Sequence, residues 1–150
     1  MDVQGILRLK GTAVVTIRPD DTIGHLVDGL ARERIGAMVV SDDGRTIQGV
    51  ISERDVVRGL ADRGAAVLQL AVRDLMSRQV VTCAPTDSVK QVMAAMTRGR
   101  MRHLPVVEDG RLAGIISIGD VVKNRLDEMA TEANVLREAY LGGERAAAGR

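Results

Sequence analysis

The chain has 150 residues, 45% of them hydrophobic and 27% charged, and its formal net charge is +1. This length suffices for one compact domain or two closely packed halves, and the near-neutral charge gives no general attraction to a polyanion such as DNA. With no Phe, no Trp and one Tyr, the chain also lacks aromatic platforms for the bases of single-stranded nucleic acid. We therefore expect an aliphatic core and no nucleic-acid partner.

The sequence repeats itself. VVTIRPDDTI at 14–23 matches VVTCAPTDSV at 80–89, an offset of 66 residues (80 minus 14). Further along, GVISERD at 49–55 matches GIISIGD at 114–120, an offset of 65. The lead-in segments VQGIL and VRDLM, which begin at Val3 and Val72, match with an offset of 69. Such a duplication favours two related folding units.

Each copy predicts the element order β-α-β-β-α. A β-branched run ends at a proline, and an Asp/Ser/Thr cluster then supplies N-cap candidates for a helix with apolar residues at i, i+3, i+4 and i+7. Two strands joined by an Asp-Gly turn follow, and a second helix begins near Asp55 or Asp120. The predicted strands are 14–17, 38–41 and 47–52 in the first copy, and 80–83, 104–107 and 112–117 in the second.

The last helix is predicted to be longer than its counterpart in the first copy. Its apolar stripe continues to about residue 141, where Gly142 and Gly143 predict its end. A helix of about 20 residues spans ~30 Å, more than one small domain needs, so we expect its apolar face to pack on a second subunit or a partner. The predicted organisation is a first repeat at 1–64, a linker at 65–71, a second repeat at 72–126, a helical extension at 127–141 and a disordered tail at 142–150.

Metal and membrane sites are not predicted. One cysteine, Cys83, and two histidines, His25 and His103, do not make a disulfide framework or a metal-ligand cluster. No basic stretch followed by an apolar run opens the sequence, and no apolar run reaches the length of a membrane span. We expect a cytoplasmic protein.

The repeated pattern resembles the cystathionine-β-synthase (CBS) domain, and two copies in tandem resemble a Bateman module. The resemblance covers about residues 3–125 and includes the motif G-h-h-S-x-x-D, where h is apolar. It implies an α/β (α+β) fold in which two β-α-β-β-α units, related by a pseudo-two-fold axis, pack sheet to sheet with two clefts at their interface. Many family members bind adenine nucleotides there and act as sensors, which implies a regulatory, energy-sensing protein without catalytic activity.

The serine and aspartate of the motif suit a nucleotide. Ser52 or Ser117 lies beside the free N–H groups of a helix N-terminus, a good place for phosphate. An ionised Asp55 or Asp120 has two acceptor oxygens for the two hydroxyls of a ribose. The alternative is that these residues only cap their helices, which contributes ~1 kcal/mol, and capping and binding can coexist.

The two copies differ beside the motif. Arg102 and His103 precede a strand in the second copy where the first has Gly-Ala, whereas Arg54 of the first copy corresponds to Gly119. An arginine fork suits phosphate geometry, and a basic residue before this strand commonly reaches ligand phosphates in the family. We predict two unequal clefts, with Arg102 or His103 supplying the cation of the second motif; the alternative for each arginine is a solvated surface charge.

The resemblance places adenine in an apolar slot lined by the first strand and by the residues before the proline, here Ala37, Met38, Leu104 and Pro105. Core packing is the alternative for the apolar members, and Cys83 is either a redox-sensitive wall of the cleft or a buried, inert thiol. The predicted nucleotide-binding residues are Ser52, Arg54, Asp55, Arg102, His103, Ser117, Ile118, Gly119, Asp120, Thr16, Ile17, Thr82, Cys83, Ala37 and Pro105.

AMP is the first candidate ligand, with ADP, ATP, NADH and S-adenosylmethionine as alternatives, and no catalytic cofactor is expected. The expected partners are a second copy of the chain and a downstream protein that the sequence does not identify. A ligand-free scaffold with vestigial clefts is the rival interpretation. Such domains also occur inside inosine monophosphate dehydrogenases, but 150 residues leave no room for a catalytic barrel of about 250.

Overall fold

A computed structural model describes residues 1–148 and shows a mixed α/β fold, as the sequence predicts. Two short 3₁₀ helices, Gly64–Gln69 and Val72–Asp74, connect the two copies of the β-α-β-β-α unit. The helices and strands are α1 (Val3–Lys10), β1 (Thr16–Ile17), α2 (Ile23–Glu33), β2 (Ala37–Val40), β3 (Gly49–Ser52), α3 (Glu53–Arg63), α4 (Val89–Gly99), β4 (His103–Glu108), β5 (Arg111–Ser117) and α5 (Ile118–Ala148).

The first unit contains a three-stranded sheet and the second a two-stranded one. Strand β2 pairs in parallel with β1 and antiparallel with β3, whereas β4 pairs antiparallel with β5. The strand predicted at 80–83 is reduced to a single bridge between Cys83 and Val106. Cys83 N donates to Pro105 O (3.0 Å), and Val107 N donates to Cys83 O (2.8 Å). Pairing is therefore confined to one residue, where the sequence pattern predicted four.

Side-chain caps start the two equivalent helices where the sequence predicts them. Thr22 Oγ1 accepts from His25 N (3.1 Å) at α2, and Ser88 Oγ accepts from Gln91 N (3.0 Å) at α4. Asp109 and Gly110 both have positive φ (52° and 74°) between β4 and β5, as a two-residue hairpin turn requires. Local signals of this kind predict these two helix starts and this turn.

Each unit has its own buried cluster, and each cluster includes the lead-in segment of the other copy. Val72 packs among the buried residues of the first unit, whereas Val3, Ile6 and Leu7 of α1 pack among those of the second. The backbone repeats this exchange: Val3 N donates to Asp87 O (2.9 Å), and Val72 N donates to Asp21 O (2.8 Å). The two repeats are thus tied together because each one packs on the lead-in segment of the other.

The structure describes two segments of the predicted organisation in more detail. The segment predicted as a linker is folded, since it contains the 3₁₀ helix Gly64–Gln69 with Val67 fully buried. The last helix does not end at 141 with a disordered segment after it, because α5 continues to Ala148 and neither Gly142 nor Gly143 has a positive φ. Residues 149 and 150 of the predicted disordered tail lie outside the described residues.

Candidate functional site

The two G-h-h-S-x-x-D motifs each connect a strand to a helix through a local hydrogen-bond pair. At the start of α3, Asp55 Oδ2 accepts from Ser52 N (2.9 Å) and Ser52 Oγ (3.1 Å). At the start of α5, Asp120 Oδ2 accepts from Ser117 N (2.8 Å), and Asp120 N donates to Ser117 Oγ (3.1 Å). Both serine and aspartate therefore cap α5, whereas at α3 only the Asp55 carboxylate bonds the backbone N–H of the N-cap residue, and its Oδ1 has no hydrogen bond among the described residues.

A cleft of about 260 Å³ lies beside the first motif and is lined by both units. The first unit contributes the start of α3, and the second contributes the segment before β4. The two meet closely, since a Cβ built on Gly36 would lie 3.5 Å from Cε1 of His103. The lining residues are Gly36, Ala37, Val50, Ser52, Glu53, Arg54, Asp55, Arg58, Ser77, Gln79, Val80, Val81, Arg100, Met101, Arg102, His103 and Pro105.

The model of the CBS domain family matches residues 9–62 and 72–127. The chain belongs to the CBS domain family. The mitochondrial CBS domain-containing protein CBSX3 of Arabidopsis thaliana is 34% identical over 128 residues, which are 83% of this chain and 62% of that protein. The uncharacterized protein MJ1225 of Methanocaldococcus jannaschii is 31% identical over 110 residues, but these cover only 39% of its length. The chain thus spans less than two thirds of these relatives.

Solved CBS structures share the fold. The CBS-domain containing protein ATU1752 of Agrobacterium tumefaciens has a TM-score of 0.81 and 49% identity, over 83% of this chain and 99% of that one. The CBS domain pair of protein MJ0100, solved in complex with 5-methylthioadenosine and S-adenosylmethionine, has a TM-score of 0.73 and covers 82% of this chain and 98% of that one. Its identity is 22%, so this second likeness concerns the fold alone.

The segment before β4 lies beside both motifs, since His103 pairs with Ser117 of the second motif in the sheet of β4 and β5. Arg102 and His103, predicted as the cations of the second motif, line the cleft of the first motif together with Arg54. They do so because the two units face each other, which brings the segment before β4 of one unit to the start of α3 of the other. Seven of the predicted site residues share this cleft: Ala37, Ser52, Arg54, Asp55, Arg102, His103 and Pro105.

The other predicted site residues lie outside the cleft lining. Ile17 and Cys83 are 4% and 7% exposed and belong to the two buried clusters, so core packing, the alternative interpretation, accounts for both. The remaining six are Thr16, Thr82, Ser117, Ile118, Gly119 and Asp120. Of these, Asp120 lines a smaller cavity of about 100 Å³ formed by residues of α1 and α5, where it contacts Lys10.

Positive charge dominates the cleft. Four arginines line it, against two carboxylates, Glu53 and Asp55. None of the arginine side chains takes part in an ion pair within 4.0 Å among residues 1–148. The four are Arg54, Arg58, Arg100 and Arg102. A cleft with several uncompensated guanidinium groups suits an anion with more than one phosphate.

Sequence reasoning missed part of this lining. Arg58 stands four residues after Arg54 on α3, so both lie on one helix face, and that spacing could have revealed it. Arg100 ends α4 in the left-handed conformation (φ 52°), and nothing in the sequence directs its side chain to the cleft. Val80 and Val81 lie in the cleft, whereas the prediction named their neighbours at 82 and 83.

His103 is half-buried in the cleft, and burial lowers the pKa of its imidazole below the usual value. Lys10 and Arg102 act in the same direction, whereas Glu53 and Asp120 oppose them. The free protein therefore favours the neutral imidazole more than an exposed histidine would.

Two kinds of site are absent from the part of the chain that the structure describes. None of its helices combines the length and apolar character of a membrane span. Residues 1–148 also contain no group of three or more His, Cys, Asp or Glu side chains that could hold a metal ion.

Proposed function

We propose that this CBS pair is a regulatory module that binds an adenine nucleotide in the cleft beside Ser52 and Asp55. The observation that carries the proposal is the set of four arginines without ion-pair partners in a cleft that also has an apolar wall. Among the candidate ligands, the charge favours ADP or ATP over AMP, and disfavours the positively charged S-adenosylmethionine.

The parts of the cleft match the parts of a nucleotide. Val80, Val81 and Pro105 supply apolar surface for a base. Asp55 Oδ1 makes no hydrogen bond among the described residues, so it can accept from a ribose hydroxyl while Oδ2 continues to cap α3. The phosphates would lie toward the arginines, away from the carboxylate.

A bound nucleotide would change how the two units are arranged relative to each other. Residues of both units line the cleft, so one ligand would contact both and stabilise one arrangement of them. The ligand can shift the arrangement only by its difference in affinity for the alternatives.

Calorimetric titration with AMP, ADP, ATP, NADH and S-adenosylmethionine tests the proposal. We expect ADP or ATP to bind most tightly. Arg100→Ala should weaken ADP binding by about tenfold or more, because hydrogen bonds to charged groups contribute ~1.5–3 kcal/mol. Failure of every nucleotide to bind below ~1 mM, where the binding free energy is only about −4 kcal/mol, would refute the proposal.

Arg34 offers a matched control. It ends α2 in the same left-handed conformation (φ 55°) as Arg100 ends α4, but it does not line the cleft. Arg34→Ala therefore imposes the same backbone change without removing a cleft cation. We expect it to leave ADP affinity unchanged.

A second candidate function is a protein-interaction module that needs no ligand. It is favoured by α5, in which every residue from Met129 to Glu144 is exposed. Several exposed side chains on it are large and apolar: Ile118, Val122, Leu126, Met129, Val135, Leu136, Tyr140 and Leu141. The occupant of this helix that we propose is a second copy of the chain, which would make the module a homodimer; a downstream protein is the alternative.

A further inference from the structure

The two motif aspartates are in different electrostatic states. Asp55 is bonded only within its own motif. Asp120 Oδ2 accepts in addition from Nζ of Lys10 at 2.6 Å, a charge-assisted hydrogen bond. The carboxylate of the second motif is therefore already paired with a cation of the same chain.

Lys10 is held in this position from two sides. It is the last residue of α1, whose Val3, Ile6 and Leu7 are buried in the second unit. Its Nζ also donates to the backbone carbonyl of Ile115 (2.9 Å). Only 31% of the lysine side chain and 22% of the aspartate side chain are exposed, so the pair is less screened by water than a surface ion pair.

The repeat identifies what Lys10 replaces. Extended three residues past the matched segment 3–7, the lead-in offset of 69 relates Lys10 to Gln79 (79 minus 10), and Gln79 lines the open cleft of the first motif. A neutral side chain in one copy thus corresponds to a cation in the other. Beside the second motif, a Cβ built on Gly119 would have Ser117 Oγ, at 3.6 Å, as its nearest non-neighbouring contact.

We propose that Lys10 is an internal occupant of the second nucleotide site: its ammonium neutralises the carboxylate that a ribose would need, so that the chain binds one nucleotide and not two. This inference rests on the proposed function of the first cleft. The pair uses Oδ2, and Oδ1 of Asp120 makes no hydrogen bond among the described residues. A ribose hydroxyl at Oδ1 would nevertheless meet a carboxylate whose charge is already paired with the lysine, which makes it a weaker acceptor than the unpaired Asp55.

The stoichiometry of ADP binding tests this inference. Calorimetry or equilibrium dialysis should give one ADP per wild-type chain and two per chain in Lys10→Gln, which introduces the residue of the other copy, and in Lys10→Ala. The double variant Lys10→Ala/Asp120→Ala should return to one. Lys123→Ala is the control, because Lys123 lines the same small cavity but makes no ion pair among the described residues; it should remain at one.

The outcomes separate this inference from the proposed function. Two ADP per wild-type chain, or one per chain in both folded Lys10 variants, would overturn the role of Lys10. No ADP on the wild type but one on Lys10→Gln would refute the proposed first cleft and support the role of Lys10. No ADP on any chain would refute both. Circular dichroism identifies a variant that fails to fold. If one of the two Lys10 variants fails to fold, the other still tests the inference.

Discussion

At the scale of single residues, His103 should couple nucleotide binding to protons. Burial lowers the pKa of this imidazole in the free protein, and a phosphate placed beside it would raise the pKa again. Binding then takes up a proton at pH values between the two, so the affinity for ADP should rise as the pH falls from 8 toward 6. Calorimetry in two buffers with different ionisation enthalpies measures that uptake.

The phosphates of ADP also titrate near neutral pH, so His103→Gln is the necessary comparison. The part of the proton uptake that belongs to His103 should disappear in this variant. Equal uptake by both proteins would contradict the assignment. Without ligand, the sign for stability follows from the lowered pKa: the neutral imidazole contributes fully above the unfolded pKa of about 6.5, and that contribution is lost as the pH falls below it.

Cys83 should be chemically inert in the folded protein. Burial, with the charge of Asp87 adding to it, raises the pKa of the thiol from 9.0 to about 11. Since the thiolate is the nucleophile, a shift of this size lowers the reactive fraction at pH 8 by about 100-fold. Alkylation by iodoacetamide should be slower by at least that factor in native protein than in urea. Comparable rates in the two conditions would revive the redox-sensitive interpretation.

At the scale of elements, α1 should stabilise the second unit although it precedes the first in sequence. Ile6 is 5% exposed within the second buried cluster, so Ile6→Ala should cost about 2–5 kcal/mol of unfolding free energy. Leu9, on the same helix but 79% exposed, is the control and should cost no more than about 0.5 kcal/mol. Urea denaturation measures both.

Hydrogen exchange locates the effect. Ile6→Ala should reduce amide protection in β4 and β5 more than in β2 and β3, because the buried contacts of α1 lie in the second cluster. A greater loss of amide protection in β2 and β3 would show that α1 packs mainly on the first unit.

The sequence predicts the helices, strands and turns better than it predicts which of them pack together. Caps at Thr22 and Ser88 and the turn at Asp109 and Gly110 are local, and local chemistry predicts them. The exchange of lead-ins is not local: the offsets between the copies are the same whether a lead-in packs on its own unit or on the other. Helix α5 also continues past Gly142 and Gly143, because glycine permits a helix to end but does not force it to end.

At the scale of the whole molecule, the candidate site was only partly predictable. The repeat and the family resemblance pointed to the residue types, and seven of the predicted residues share one cleft. Their grouping depends on how the two units face each other, and this arrangement brings Arg102 and His103 to the motif of the other copy. The contact between Lys10 and Asp120, 110 residues apart in sequence, depends on the same arrangement.

The surface of α5 predicts the oligomeric state. The helix has 31 residues, about 46 Å at 1.5 Å per residue. The side chains that pack it on its own unit, Val121 and Asn124, lie near its start. Beyond them, Leu126 and Met129 are 60% and 51% exposed, a spacing that suits helix–helix packing. We expect light scattering to give twice the 16.1 kDa of one chain.

Leu126→Glu should convert this dimer to a monomer, because it places a charge in the apolar interface. Leu9→Glu, at a site that is 79% exposed on α1, should leave the dimer intact. A monomeric wild type, or a dimer that survives Leu126→Glu, would contradict the role of α5. Both units of one chain line the cleft, so we expect the monomeric variant still to bind ADP. Loss of binding together with the dimer would instead mean that a second copy completes the site.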